Sequence, residues 1–460
     1  MLSVRDEPAV MRTVPLEDGP HIALLSPYSG GNLGDAAIQD SMIASLRTVL
    51  PRARFSGISL SNQNYLMRHG SDAYSLCALR RSFWGMDDAG TAGVTSGSEG
   101  RQHQNRLVTG LRSGLRLVPG LRRIIRALKS RLFTLRTELR HWSGAYRFLR
   151  RHSLLVICGG GQLDEEWGGP WGHPYALFKW TLLSRLAGIP IAMASVGACR
   201  VQSRLSRFFL GQAVRFCSYR SYRDENSKAI ASALSRRAAK DPVVPDLAFC
   251  LPESDIPVAV NLRPLANGRR IVAISPIIFG KPGVWPSPDA AVFDRYMSEM
   301  TAIVSHLLDR DDFIVFVWSG SSDQGLIAEI ISRVESESRR KLDAQAYIAH
   351  LEQWKDLVAV LRSTDVMIAS RLHSTLLGLL AQIPVVAISF DKKVDWAMQQ
   401  LGQQDALLHI RDFTSSMVLE TLNLVELRRE RIVRELISQR EHALRASTMQ
   451  ADEIGHLIRI

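Results

Sequence analysis

Cysteine is scarce in this chain and poorly placed for cross-linking. The five thiols among 460 residues, Cys77, Cys158, Cys199, Cys217 and Cys250, form no Cys-x-x-Cys pair and have no histidines at ligand spacing, which argues against a disulfide framework and a structural zinc site. Most read as small core residues, Cys158 in its apolar run above all. Long apolar stretches are lacking too: nowhere do about 18 such residues follow one another, so no transmembrane helix is expected. Arg5, Asp6 and Glu7 stand where a signal peptide would need an apolar segment, and the expectation is a cytoplasmic protein. Acids are nearly absent from one region. Between 101 and 151 fourteen Arg or Lys residues face the single acid Glu138, while the remainder is close to neutral although the whole chain carries +12. A basic balance that comes from one insertion speaks only for that insertion, so no nucleic-acid partner is expected.

What is present is the composition of a globular protein, 46% hydrophobic and 22% charged, with more residues than one core organises. Residues 1–20 show no periodicity and read as a mobile leader. Short apolar runs then alternate with helical periods: strands at 22–27, 54–60, 154–158, 190–195 and 217–221, helices at 35–49, 174–187, 203–214 and 225–234. A second series runs through strand 271–275, helix 289–308, strand 313–318, helix 324–335, strand 346–348, helix 353–361, strand 365–369, helix 372–381 and strand 384–389. Fully apolar strands alternating with helices predict parallel sheets covered on both faces. The expected architecture is α/β, two facing doubly wound, Rossmann-like domains at 21–250 and 271–412. A linker at 251–270, with Pro252, Pro257, Pro264 and Gly268, joins them, and a helical extension at 413–460 packs back on the first domain. Their strand carboxyl ends should surround a shared cleft.

The first domain is interrupted at 85–150. Residues 85–110, rich in Gly, Ser and Thr, read as flexible. Beyond them Leu121, Ile124, Ile125, Leu128, Leu132 and Leu135 share a helical face, with Arg122, Arg123, Arg126, Lys129 and Arg136 largely on others. Such a basic amphipathic helix, 115–136, either docks on an anionic membrane surface or covers the protein's own core.

Chemistry-bearing residues gather at strand ends. After the first strand, Gly30, Gly31, Asn32, Leu33, Gly34 and Asp35 lead into a helix, where glycines permit close approach and unpaired amides stabilise an anion. No Lys-Ser or Lys-Thr follows, which excludes a Walker A loop, and the spacing is not a clean dinucleotide fingerprint. A tight βα connection with Asp35 as a first-turn acid explains the same residues. Three later strings follow in order: Val156-Ile-Cys-Gly-Gly-Gly-Gln-Leu163, Ser221-Tyr-Arg-Asp-Glu-Asn-Ser227 and Ser370-Arg-Leu-His-Ser-Thr375, the last succeeded by Ile383-Pro-Val-Val-Ala-Ile-Ser-Phe-Asp-Lys-Lys-Val394. Together the four strings resemble the polysaccharide pyruvyltransferase family from about residue 20 to about residue 410, outside the insertion. The resemblance implies a scaffold like that of GT-B glycosyltransferases. It also implies transfer of the enolpyruvyl part of phosphoenolpyruvate onto a saccharide or lipid-linked oligosaccharide of cell-surface polysaccharide biosynthesis, usually as a cyclic ketal.

Ketal formation needs a clamp for a small trianion, an acid for the methylene carbon and a base for sugar hydroxyls. Arginine suits the clamp because its planar fork matches carboxylate and phosphate oxygens. The resemblance places a donor-binding arginine at Arg371 and a functional histidine at His373, as phosphate ligand or proton carrier, where residue type alone allows a plain ion pair and a helix-start histidine. It favours Arg223 as a second anion ligand, with Asp224 and Ser227 shaping the turn; a helix-start salt bridge reads equally well from the residues. Lys393 matches the family's lysine, though Lys392 blurs the alignment by one position. Gly31, Asn32, Gly34, Gly160 and Gly161 are expected to border substrate, and Asp35 is the preferred base over Asp164 or Glu165. Trp167 and Trp171 could stack on a sugar or pack in the core. No cofactor and no metal are expected. A nucleotide-sugar glycosyltransferase of the same architecture is the alternative enzyme, and a silent scaffold of a polysaccharide assembly complex the non-enzymatic one. Asp35, Arg223, Arg371 and His373 together argue against the scaffold.

Overall fold

A computed structural model describes residues 19–78, 119–166, 168–285 and 287–459, with only the backbone described for 119–133, 336, 337 and 459. The expected leader at 1–20 and the flexible stretch 85–110 therefore fall almost wholly outside the described residues.

Six parallel strands, β1 (His21–Leu25), β2 (Arg54–Ser59), β3 (Ala73–Ser75), β4 (Leu154–Cys158), β5 (Ile191–Val196) and β6 (Tyr219–Tyr222), form the first sheet in the order β3-β2-β1-β4-β5-β6. The second repeats that winding with β7 (Ile271–Ser275), β8 (Phe313–Phe316), β9 (Ala346–Ile348), β10 (Val366–Ala369), β11 (Val385–Ser389) and β12 (Leu407–His409), ordered β12-β11-β10-β7-β8-β9. The architecture is the two-domain, doubly wound α/β fold that the alternating pattern predicts.

Alternation of side chains divides each apolar strand between two cores. Ile22 and Leu24 of β1, with Leu154 and Val156 of β4, join a core under the helix Leu33–Val49 that runs without a break into the second domain, through Leu247, Phe249 and Leu251. Ala23, Leu25, Leu155 and Ile157 face a separate core under the helices His173–Leu186 and Arg204–Phe216. The C-terminal extension is helical as expected but broken after Leu427 into Ser415–Leu427 and Arg429–Arg459. It crosses back to the first domain, where Ser447 bonds Ser45 at 3.0 Å and Gln450 accepts from Ser221.

Periodicity missed the helices Asn62–His69, Ser336–Gln345 and Lys392–Gln400 and the strands β3 and β12, besides the single turn Arg263–Ala266 in the expected linker. The strands are three residues each, and the first two helices are so polar that no apolar stripe marks them; Asn62–His69 buries only Tyr65. The insertion also needs correcting. Its helix is Pro119–Leu149, and its end is built into the first domain: Ala145 and Leu149 are fully buried, and Gly144 lets the Tyr74 ring approach. The apolar stripe from Leu121 to Leu132 has side chains outside the described residues, and Leu135 is exposed. The segment 251–270 is pinned rather than loose, since Leu251, Leu262 and Ala266 are buried and Arg263 grips Asp365 with two bonds, one of 3.0 Å.

Candidate active site

In doubly wound sheets a crevice opens where adjacent strands send their connections to opposite faces. Here those points lie between β1 and β4 in one sheet and between β7 and β10 in the other. The turn from Gly30 to Asp35 follows β1, Gly159 to Gly161 follow β4, and Arg371 follows β10; Arg223 leaves β6 and Lys393 leaves β11. Every string singled out in the sequence thus ends on the carboxyl edge of a strand.

The amides at the start of the helix after the glycine turn are already bonded. Asn32 caps the helix Leu33–Val49, its side-chain oxygen accepting from the amides of Gly34 at 3.0 Å and Asp35 at 3.4 Å, while its Nδ2 donates to Asp35 Oδ2 at 2.9 Å. The amide of Leu33 donates to the Ser319 carbonyl across the domain boundary at 2.8 Å, and Ser321 returns a 2.8 Å bond to the Gly31 carbonyl. The expectation of free amides at this helix start is therefore overturned, because the cap and the second domain have taken them. The glycines serve the seam: a Cβ on Gly34 would overlap the His373 ring, and one on Gly31 would crowd Ser321 Oγ.

His373 lies in the first turn of the helix Leu372–Leu380, pressed on Gly34, and its Nε2 is buried without a hydrogen-bond partner. Arg371 caps the same helix and turns its guanidinium to Asp323, Nε to one oxygen and Nη2 to the other at 2.9 Å, with Ser322 Oγ at 3.2 Å. Asp323 is wholly buried and also accepts from the Ile278 amide at 3.2 Å. Enclosure in the cleft raises the carboxyl pKa of Asp35, against the pull of the His373, Arg223 and Arg371 charges. The His373 ring lies against Gly34, the residue before Asp35, so these two groups of opposite domains are neighbours.

Arg223 is buried between two acids, Nε 3.3 Å from Asp224 and Nη1 3.3 Å from Asp246, with Nη2 unpartnered. Asp224 caps the helix Glu225–Leu234 through a 2.6 Å bond from the Ser227 amide, and Ser227 Oγ accepts from Ala198 at 3.0 Å. Behind them β5 bulges at Ser195, a non-glycine residue at φ 54°, whose hydroxyl donates to the carbonyls of Val244 and Pro245 and so fixes Asp246. Gly197 leaves the room that the Arg223 guanidinium fills.

Of the two neighbouring lysines it is Lys393 that enters the cleft, reaching Asp164 of the first domain at 3.2 Å and Asp391 at 3.5 Å, while Lys392 is exposed. Burial opposes ionisation of Asp164, but the Lys393 ammonium, the Glu166 amide and Cys199 outweigh it and hold the carboxyl below the usual range. Lys393 is shifted up, its own desolvation overcome by Asp164, Cys199 and Asp391. Burial pushes the Cys199 thiol to about 12, so it is no thiolate nucleophile. Gly160, at φ 68°, borders Asp35, and Gly161 borders Lys393.

Other candidates leave the list of site groups. Glu165 accepts from the amides of Gln202 at 2.5 Å and Ser203 at 3.3 Å, a structural task that occupies its carboxylate. Trp171 is neither core nor cleft but exposed on the outer face, and Trp167 lies outside the described residues. Asp323 and Asp246 were missed. Neither acid stands in a motif: Asp246 ends a Pro-Val-Val-Pro-Asp segment and Asp323 follows two serines.

Between the domains Arg223, Asp246, Leu372, Lys393 and Gln400 line a cavity of about 20 Å³, room for roughly one water molecule. A recess of about 690 Å³ also lies between the domains, but it opens beside His21, Arg54 and Asp72, at the amino ends of the strands, away from this chemistry. Among the described residues no group of three or more His, Cys, Asp or Glu side chains is placed to hold a metal ion.

Two Rossmann-like domains closed on a cation-lined cleft make this a GT-B-type fold. Solved structures share it at low identity. The UDP-GlcNAc 2-epimerase of Neisseria meningitidis bound to UDP-GlcNAc has 9% identity, a TM-score of 0.54 and coverage of 94% of this chain and 98% of that one. The glycotransferase of kitacinnamycin shows 14% identity and a TM-score of 0.52 over 95% and 99% of the two chains. The UDP-GlcNAc 2-epimerase of Methanocaldococcus jannaschii shows 7% and 0.50 over 88% and 92%. No curated protein matches the chain. Its family is nonetheless defined: residues 32–392 match the model of the polysaccharide pyruvyl transferases, and the chain belongs to that family of transferases.

Proposed function

We propose that the protein transfers the three-carbon unit of phosphoenolpyruvate to two hydroxyls of a saccharide, free or lipid-linked, in cell-surface polysaccharide biosynthesis. The observation that carries this reading is that Arg223 Nη2 and His373 Nε2, each just beyond the carboxyl end of a strand in opposite sheets, are both buried and unpartnered. Two guanidinium forks and an ammonium suit a donor that bears a carboxylate and a phosphate within a few bonds of each other. Family membership supports the same chemistry. Likeness to the epimerases and the glycotransferase is of fold alone and does not favour a sugar nucleotide.

One sugar hydroxyl adds to C2 of the donor while C3 takes a proton and becomes a methyl group. The second hydroxyl then displaces phosphate from C2, closing the ketal; of the two hydroxyl protons lost, one balances C3 and the other leaves with phosphate or solvent. Asp35, whose raised pKa brings its proton exchange closer to neutrality, suits a group that gives a proton at C3 and accepts one from a hydroxyl. His373 stands ready at the departing phosphate. On binding, donor oxygens would replace the carboxylates that now face these cations.

Phosphoenolpyruvate, set against UDP-sugars, should raise the melting temperature, and a pyruvylated oligosaccharide should appear by mass. Arg371→Ala should lose detectable transfer and donor binding worth about 2 to 5 kcal/mol while still melting cooperatively. Wild-type turnover in that variant, or stabilisation by UDP-sugars alone, would sink the reading.

A further inference from the structure

The outer face of the first domain carries an apolar surface that the chemistry above does not use. The helix His173–Leu186 packs between Pro119–Leu149 and Arg204–Phe216. Its inner side fills the second core with Leu177, Trp180 and Leu183. Its outer side is apolar as well: Tyr175, Phe178, Leu182 and Leu186 fall at i, i+3, i+7 and i+11, one stripe, and Leu186 is 63% exposed. The neighbouring helix continues the patch with Leu205 and with Phe208, 53% exposed and 6.1 Å ring to ring from Phe178. Trp171, 64% exposed, leans on Phe209 at 5.7 Å and extends the patch toward the cleft loop. Isolated exposed apolar residues need no explanation; an aromatic cluster shared by two helices does.

Charge identifies what covers it. Residues 167–223 contain no Asp or Glu and eight Lys or Arg. Arg185, Arg204, Arg207 and Arg215 are exposed on the two helices that carry the apolar stripe. A second copy docking by two-fold symmetry would set these arginines against one another, which disfavours that occupant. Anionic headgroups would satisfy them while acyl chains receive the aromatic and aliphatic groups, the two terms of interfacial attachment. Among the described residues no helix is long and apolar enough to cross a membrane, so contact at this face is parallel to the surface.

We propose that this face seats the protein on an anionic lipid surface, with Trp171, Phe178, Leu182, Leu186, Leu205 and Phe208 at the headgroup boundary. The seat and the cleft share one loop. Glu165 receives the amides of Gln202 and Ser203 at the start of Arg204–Phe216, and the adjacent Asp164 holds Lys393 in the cleft. A protein seated this way presents its cleft to a saccharide anchored in the same membrane, a clause that rests on the proposed function; the seat itself does not.

The full chain should co-sediment with vesicles containing phosphatidylglycerol at low salt and leave them at high salt or on phosphatidylcholine alone. The double variant L186E/F208E, changed only at exposed positions, should lower vesicle partition at least about tenfold with an unchanged melting temperature and unchanged transfer to a water-soluble acceptor. No binding by the wild type at low salt overturns the proposal, as does full binding by the double variant. So does a wild type that self-associates through this face, becomes monomeric in the double variant and ignores vesicles. Absence of transfer in both proteins would count against the enzymatic reading and leave the vesicle result standing.

Discussion

His373 is held by three constraints that a reader of its motif would not connect: the start of the helix Leu372–Leu380, the bare backbone of Gly34 and the field of Asp35. Pressed on a glycine of the other domain, its ring cannot swing away without moving the seam, and its free Nε2 has only the cleft to serve. A proton carrier and a phosphate ligand predict different kinetics. With His373→Gln, which keeps a polar side chain, transfer is expected to fall by roughly two to four decades while donor affinity stays within a few fold. Measured kcat and donor titration decide it, and equal losses in both would make the ring a ligand rather than a proton carrier. The arginines illustrate a different point at this scale. Each is matched in the structure by buried carboxylates, Asp323 for Arg371 and Asp224 with Asp246 for Arg223, which keeps the guanidinium groups ordered before any donor arrives.

At the scale of elements, the turn after β1 shows how one glycine-rich string supports two readings. Its spacing fits an anion cradle, yet the structure spends its amides on the Asn32 cap and on Ser319. What decides between them is the segment that follows β8, which docks as an antiparallel bridge of Gly320 on Asn32. Asn32→Ala should remove the cap and cost about 0.5 to 2 kcal/mol, seen as a lower denaturation midpoint with unchanged slope. It should also free Asp35 from its Nδ2 donor and raise the acid limb of the pH profile, since the ionised carboxylate loses a hydrogen bond. An unaltered midpoint would mean that the seam, not the cap, holds this helix start. The insertion helix carries the complementary lesson: its basic, leucine-bearing pattern reads alike for lipid and protein, and only Ala145, Leu149 and the approach of Tyr74 to Gly144 show that its end belongs to the core.

At the scale of the molecule, the two domains are joined differently on their two sides. An apolar core runs unbroken beneath the helix Leu33–Val49 into the second domain, while on the cleft side the backbone bonds of Leu33 and Ser321 are joined by the ion pair of Lys393 with Asp164. The apolar side is the durable one, so the cleft should open about it when the ionic tie is released. Asp164 titrates below the ordinary carboxyl range, so its contribution is present above about pH 3.9 and lost as pH falls through its depressed value. Lys393 is raised, so its contribution is complete below about pH 10.4 and lost only as pH climbs through a higher value. The tie therefore holds across the neutral range and fails first in acid. Asp164→Asn at neutral pH should enlarge the radius of gyration in small-angle scattering as acid does for the wild type, and identical scattering curves for variant and wild type would refute this hinge.

Periodicity alone determined the alternation of strands and helices and the two-domain organisation, because the 2.0 and 3.6 repeats are local properties of the chain. It also brought Asp35, Arg223, Arg371, His373 and Lys393 to the carboxyl edges of strands, since each motif directly follows an apolar run. The partners were decided by tertiary structure. Arg371 finds its acid 48 residues away, Arg223 finds Asp246 at 23 and Lys393 finds Asp164 at 229, and no local rule names a group so distant. Whether a glycine admits a ligand or a neighbouring domain, and whether an apolar stripe faces core or solvent, depends likewise on which segment docks against it, a choice made by packing between segments remote in sequence.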